Sequence, residues 1–239
     1  LSHAEADHMN GLQWVLENVR VDRFIDTGAK VSVLCGVFAD EAVCADPARR
    51  ENEPDMSPAQ VERYARLLET VKERDVEYIR AEAGLVIDLE SGARIRLLSP
   101  DAFLFRNTPP GEGSNNLSIV ASVEYGEGAL LLSGDIEAPA ESRLVEFQQE
   151  RLPVSLMKAP HHGSRSSSSW GFIDAVSPRV AVISTGGPMY YGHPHEAVLE
   201  RYRRLGVKVW RTDEAGNVSC YVSPEGKVNC RGEMLLDSF

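Results

Sequence analysis

All six histidines of this chain fall in three short clusters. They are His3 and His8 in the run His3-Ala4-Glu5-Ala6-Asp7-His8, the adjacent pair His161-His162, and His193 with His195. Histidines kept for packing or solubility would scatter. Neutral imidazole is the commonest metal ligand, so clusters separated by long stretches point to a metal site built from distant loops. The first run places His3, Glu5, Asp7 and His8 so close together that one tetrahedral ion could not use them all without strain; two adjacent ions could. If Leu1 to Glu5 end a strand, His3 and Glu5 share a side, and a turn brings Asp7 and His8 around. Taken alone, this run could equally be a solvated polar terminus.

Two further motifs carry ligand-type groups. Asp135 follows the apolar run Ala129-Leu130-Leu131-Leu132, and a carboxylate at such a strand end needs compensation, which a bridging metal would supply; an ordinary turn aspartate is the alternative. In Lys158-Ala159-Pro160-His161-His162-Gly163-Ser164, adjacent histidines on an extended chain diverge, so one is expected to ligate metal and the other to donate a hydrogen bond or move protons. Gly163-Ser164-Arg165 offers backbone N–H groups, hydroxyls and a guanidinium to a phosphate. The run Ser166 to Ser169 reads as a flexible loop. In Tyr191-Gly192-His193-Pro194-His195, His193 could reach metal, substrate or leaving group, while His195, at a helix start, is expected to be structural or to support the residues that hold the metal.

The elements that must position these residues alternate. Helices are expected at Asn10–Val19, from Pro58 to about Arg74 behind a Ser57 N-cap, from Pro139 to Arg151, and from Pro194 to Leu205. Strands are expected at 21–25, within 76–98, at 118–125, 129–132, 154–158, 180–184 and 207–211. The polar clusters follow strand ends, which implies an α/β fold with its site on loops at one sheet edge. Residues 39–57 read as a surface insertion, and 218–239 as a C-terminal hairpin and tail.

The composition bounds the rest. The 239 residues form a single domain with an ordinary apolar fraction of 43%, and no apolar run approaches the roughly 18 residues of a membrane span. A net charge of −11 argues against a generic cationic nucleic-acid surface, but not against a nucleic-acid enzyme whose bound dications supply local positive charge. The four cysteines form two local pairs, Cys35/Cys44 and Cys220/Cys230, with no zinc-thiolate spacing. The second pair flanks a turn and is either a cross-strand disulfide, as in an oxidising compartment, or two reduced thiols. No P-loop, dinucleotide fingerprint or Gly-x-Ser-x-Gly elbow is present, so no nucleotide cofactor is expected.

The order His-x-Glu-x-Asp-His, Ser133-Gly134-Asp135, Pro-His-His-Gly-Ser, Tyr-Gly-His-Pro and Arg211-Thr212-Asp213-Glu214 resembles the metallo-β-lactamase superfamily. More narrowly, it resembles the soluble domain of ComEC-type competence proteins. The resemblance implies an αβ/βα sandwich with two metals at the strand ends. It implies His3 and Glu5 at one metal, Asp7 and His8 at the other, Asp135 between them, and His161 or His162 completing the second; of these His161 is taken as the ligand. Asn115 and Asn116 match an Asn-rich pattern of that branch and are candidates to contact metal or water. Glu5 stands where the superfamily has mostly His and this branch Asp. The first strands of the sandwich normally precede the opening motif, so the chain is expected to lack them.

The expected chemistry is metal-assisted hydrolysis of a phosphodiester, and the resemblance implies a nuclease acting on DNA in competence DNA uptake. Asp7 would orient or deprotonate water, and His193 and His162 would protonate the leaving group. Lys158, Ser164 and Arg165 would hold substrate phosphate. The oxygen ligands Glu5, Asp7 and Asp135 make Mn2+ a rival to Zn2+ as the pair of divalent ions. The expected partners are DNA or another phosphodiester and a membrane channel domain or upstream segment of the same protein. The compartment is left open: exported, attached to a membrane protein, or cytoplasmic. Hydrolysis of small esters, lactones or thioesters, or a degenerate non-catalytic metal-binding domain, are the competing readings.

Overall fold

The computed structural model describes residues 1–28, 30–38, 44, 45, 49, 53–109, 114–187 and 191–233. Much of the expected insertion at 39–57 and the end of the expected tail, 234–239, lie outside these. The chain forms two compact units, one of Leu1–Ala83 and Ser99–Ile119, the other of Gly84–Leu98 and Val120–Phe239.

The first unit contains α1 (Ala6–Met9), α2 (Leu12–Asn18), β1 (Arg23–Asp26), α3 (Val31–Val37), α4 (Pro58–Glu73), β2 (Glu77–Arg80) and α5 (Ala102–Asn107). β1 and β2 pair in parallel, which requires the long helical connection that separates them. α4 starts where the sequence says it should. Ser57 and Gln60 close a reciprocal capping box and Pro58 occupies the first turn, a start worth about 1 kcal/mol. The α4 stripe Tyr64, Leu67, Leu68 and Val71 is buried with Leu16, Phe24 and Leu34. The buried carboxylate of Asp26 accepts from Tyr64 Oη at 2.7 Å, Tyr78 Oη at 2.9 Å and the Gly28 N–H at 2.7 Å, so its charge is well solvated by the fold.

One local expectation changes here. Residues 1–5 are not a strand: the Glu5 carbonyl accepts from the His8 and Met9 N–H groups, which winds the chain directly into α1. The helix expected over Asn10–Val19 is observed as α2, Leu12–Asn18 with Gly11 at its N-cap position, and the short α1 precedes it.

The second unit is built on a seven-stranded mixed sheet of order β3-β4-β5-β6-β7-β8-β9. The strands are β3 (Val86–Asp88), β4 (Arg94–Ser99), β5 (Val120–Tyr125), β6 (Gly128–Leu132), β7 (Leu156–Lys158), β8 (Val180–Ile183) and β9 (Lys208–Arg211). β6 to β9 run parallel, linked by α6 (Ala138–Gln148), α7 (Trp170–Val176) and α8 (Glu196–Arg204). Leu131, Met157, Ala181 and Ile183 from the strands, and Leu144, Phe172, Val176, Val198 and Tyr202 from the helices, are buried. Because the four strands are parallel, the segments after them leave from one sheet edge. The α/β class expected from the sequence is the one observed.

α9 (Thr212–Ala215) and the hairpin of β10 (Asn217–Val222) and β11 (Val228–Glu233) follow. Cys220 lies opposite Cys230 in the hairpin register, and the two form a disulfide, as do Cys35 and Cys44. Among the described residues no helix is long and apolar enough to cross a membrane.

Candidate metal centre

In the first unit, Ser2 gathers the opening motif. Its Oγ lies 3.2 Å from His3 Nδ1 and 3.1 Å from His8 Nδ1, and the two rings sit 4.2 Å apart. Ser118 Oγ also reaches His3 Nδ1, at 3.2 Å, and Ser114 Oγ donates to Glu5 at 3.1 Å. The segment 114–118 is thus laid against His3 and Glu5, and Asn115 and Asn116 lie within it on a short 3-10 turn. Asn116 is buried, and Asn115 Oδ1 is a buried acceptor with no hydrogen-bond partner. Asp7 is exposed on the first turn of α1, with Oδ2 3.4 Å from His8 Nε2.

In the second unit, the parallel strands deliver Asp135 after β6, His161-His162 after β7, and His193 and His195 after β8. Asp135 is buried; Lys158 Nζ donates to its Oδ1 at 3.0 Å and to the Gly134 carbonyl at 2.7 Å. Lys158 therefore serves a carboxylate of its own chain. His162 Nδ1 lies 2.7 Å from the Ser184 carbonyl and must donate to it, which makes Nε2 the acceptor nitrogen of a neutral ring. That nitrogen faces Asp135 Oδ2 at 3.1 Å. Two acceptors at this distance need a cation between them, a proton or a metal.

The chain at the histidine pair is not extended. His161 and His162 both adopt left-handed backbone, φ 44° and 52°, at a cost of about 1–2 kcal/mol each. Their rings still diverge: His161 Nδ1 faces Glu137 at 3.1 Å, and its ring packs 5.5 Å from that of His193. Gly163 completes the turn at φ 80°, where a Cβ would strike Pro194. His193 is crowded by burial first and by the charges of His161 and His195 next, which push its pKa down to about 4. It is neutral at pH 7, so it must first acquire a proton to deliver one to a leaving group. His195 occupies the N-cap position of α8, and its Nε2 accepts from Arg165 at 3.1 Å.

The serine run is not a flexible loop. Ser164, Ser167 and Ser168 are buried. Glu141, on the buried stripe of α6, accepts from the Ser168 and Ser169 N–H groups at 2.5 and 2.8 Å. Arg201 on α8 donates to the Ser167 and Ser168 carbonyls at 2.8 and 2.9 Å, and Ser168 Oγ meets Tyr202 Oη at 3.0 Å. Ser166 Oγ donates to Glu137 at 2.8 Å and shares a bond with Ser164 Oγ. The Ser164 N–H donates to the His161 carbonyl and the Ser166 N–H to Ser164 Oγ, while Arg165 is exposed. Sequence reasoning missed Glu137, Glu141 and Arg201. The signal for Glu141 was available: an acid beside Ala140 and Leu144 on the apolar stripe of a helix.

No family model matches the chain. ComE operon protein 3 of Bacillus subtilis (strain 168) is 29% identical over 218 residues, which cover 91% of this chain and 24% of that protein. Competence protein ComA of Neisseria gonorrhoeae is 43% identical over 102 residues, 43% of this chain and 15% of that protein. The chain thus spans about a quarter or less of the length of the curated relatives it matches. Among solved structures, CmlA, a diiron beta-hydroxylase from Streptomyces venezuelae, is similar over 67% of this chain and 36% of its own, at 12% identity and a TM-score of 0.39, too weak a likeness to argue from. The chain is thus similar to competence proteins, over 91% of its length to the first and 43% to the second.

Proposed function

We propose that the chain is a metal-dependent hydrolase of phosphodiesters, a nuclease acting on DNA in competence DNA uptake, and that it works as one domain. The observation that carries this reading is the pairing of His162 Nε2 with Asp135 Oδ2 at 3.1 Å, with Nδ1 pinned on the Ser184 carbonyl. A backbone carbonyl that fixes the tautomer of an imidazole facing a carboxylate is the usual support of a metal-ligating histidine. The buried, unpartnered Asn115 Oδ1 and the mixed imidazole and carboxylate donors also fit a divalent ion.

The proposed ligands are His3, Glu5, Asp7, His8, Asp135 and His162, holding two divalent ions, Mn2+ or Zn2+. When bound, such ions would activate water and neutralise charge on a scissile phosphate. Asp7, exposed at the start of α1, orients that water or takes its proton. Lys158 holds Asp135 in place through Oδ1 and keeps Oδ2 turned to His162. His193, neutral at pH 7, accepts and passes on a proton beside His161. Arg165 binds a substrate phosphate.

The two disulfides favour an oxidising compartment over the reducing cytoplasm. The short share of the relatives that the chain matches agrees with a partner segment or membrane channel elsewhere in the same protein. The test is cleavage of plasmid DNA and of bis(p-nitrophenyl) phosphate with Mn2+ or Zn2+, beside lactone and β-lactam hydrolysis, with Asp135→Ala as control. Cleavage of the phosphodiesters that this variant lacks is expected. Turnover of only the lactone or β-lactam would overturn the reading.

A further inference from the structure

The first unit carries a cleft of about 340 Å³ that the opening motif does not use. It is lined by Met9, Asn10, Gln13, Arg63, Arg66 and Leu67. Its composition is unusual for a chain of net charge −11: two guanidinium and two carboxamide side chains, with no carboxylate among the lining residues. The floor is apolar, since Met9 and Leu67 are both 2% exposed.

The cationic wall follows from helix periodicity. Arg63 and Arg66 stand three residues apart on α4, which puts them on one exposed face one turn apart. Arg63 donates to Asn10 Oδ1 at 3.1 Å, which fixes its position without neutralising it. Arg66 meets Glu62 at 3.1 Å in a surface pair with both side chains largely exposed, a contact worth little and readily exchanged for another anion. Asn10 lies two residues beyond His8, so the cleft opens directly after the proposed ligand run.

We propose that this cleft binds the phosphodiester backbone of a nucleic-acid strand, with Arg63 and Arg66 on successive phosphates and the sugar against Met9 and Leu67. The cleft is a substrate track beside the proposed ligand run His3–His8, and taking its ligand to be DNA rests on the nuclease reading. Guanidinium forks suit phosphate oxygens, and the Asn10 amide adds a neutral donor, while the Gln13 amide nitrogen is committed to Glu17 and Thr70.

Counterion release makes the idea measurable. Each phosphate contact contributes about −0.7 to the slope of log affinity against log salt for a single strand. The experiment measures binding of a short fluorescein-labelled single-stranded oligonucleotide to the full chain by anisotropy across a salt series, with EDTA present so that nothing is cleaved. The pair Arg63→Gln/Arg66→Gln is expected to make the slope shallower by about 1.4, and Arg63→Lys/Arg66→Lys to keep most of it. An unchanged slope in the glutamine variant, no binding by the wild-type chain, or equal loss in both variants would overturn the proposal. Because no turnover is needed, a chain that binds through the cleft but cleaves nothing refutes only the nuclease reading. A chain that cleaves DNA with an unchanged slope refutes only the track.

Discussion

His162 Nε2 stands 3.1 Å from Asp135 Oδ2, while its other ring nitrogen is committed to the Ser184 carbonyl. The neighbouring His161 instead faces Glu137. The adjacent rings are thereby sorted, one toward a buried carboxylate and one toward a half-buried one.

Metal binding should follow that sorting. His162→Ala and Asp135→Ala are each expected to lower affinity for Mn2+ or Zn2+ by at least about tenfold, while His161→Ala keeps it closer to wild type. Elemental analysis and calorimetric titration of the purified variants read this directly. The reverse ranking would assign the ligand to His161.

His193 should not titrate in the ordinary histidine range. In chelated protein its ring is expected to stay neutral down to about pH 4, because burial and the neighbouring imidazoles oppose its charge. Its folded pKa lies below the unfolded value, so its contribution to stability is present above about pH 6.5 and lost as pH falls toward 4. An NMR titration of labelled histidines checks this; a His193 midpoint near 6.5 would show that the crowding is absent in solution.

Glu141→Ala should loosen the serine turn. Two buried N–H groups lose their acceptor, at about 1–3 kcal/mol each, measured by chemical denaturation. Burial raises the carboxyl pKa above its usual 4.5, so the group stabilises fully below that value and loses its effect as pH rises through the folded pKa. The gap between wild type and variant should therefore be widest near pH 4 and narrower at pH 7. A gap that widens with pH would contradict the raised pKa.

Replacing Cys220 and Cys230 with serine should cost about 2–3 kcal/mol, the range for a short closed loop, read as a lower urea midpoint. Equal stability in oxidised and reduced wild type would contradict the cross-link.

The sequence was most legible where periodicity and chemistry agree. α4 could be placed from Ser57-Pro58 and its apolar stripe, and the need of Asp135 for compensation could be read from a carboxylate ending an apolar strand, where Lys158 now pairs with it. Positions fixed by long-range partners were not legible. Nothing local to Ser166–Ser169 says that Glu141 and Arg201, each about 30 residues away, hold its backbone. Left-handed backbone at two successive histidines is likewise invisible to propensity, which disfavours it, and is sustained by the turn around Gly163.

The clamp on the serine turn has a thermodynamic corollary. Its shape is settled during folding by groups from two helices, so the rotational freedom of that stretch is spent before any ligand arrives. An anion bound at Arg165, as proposed, would find the supporting turn already in place, and more of its contact energy would then survive as affinity.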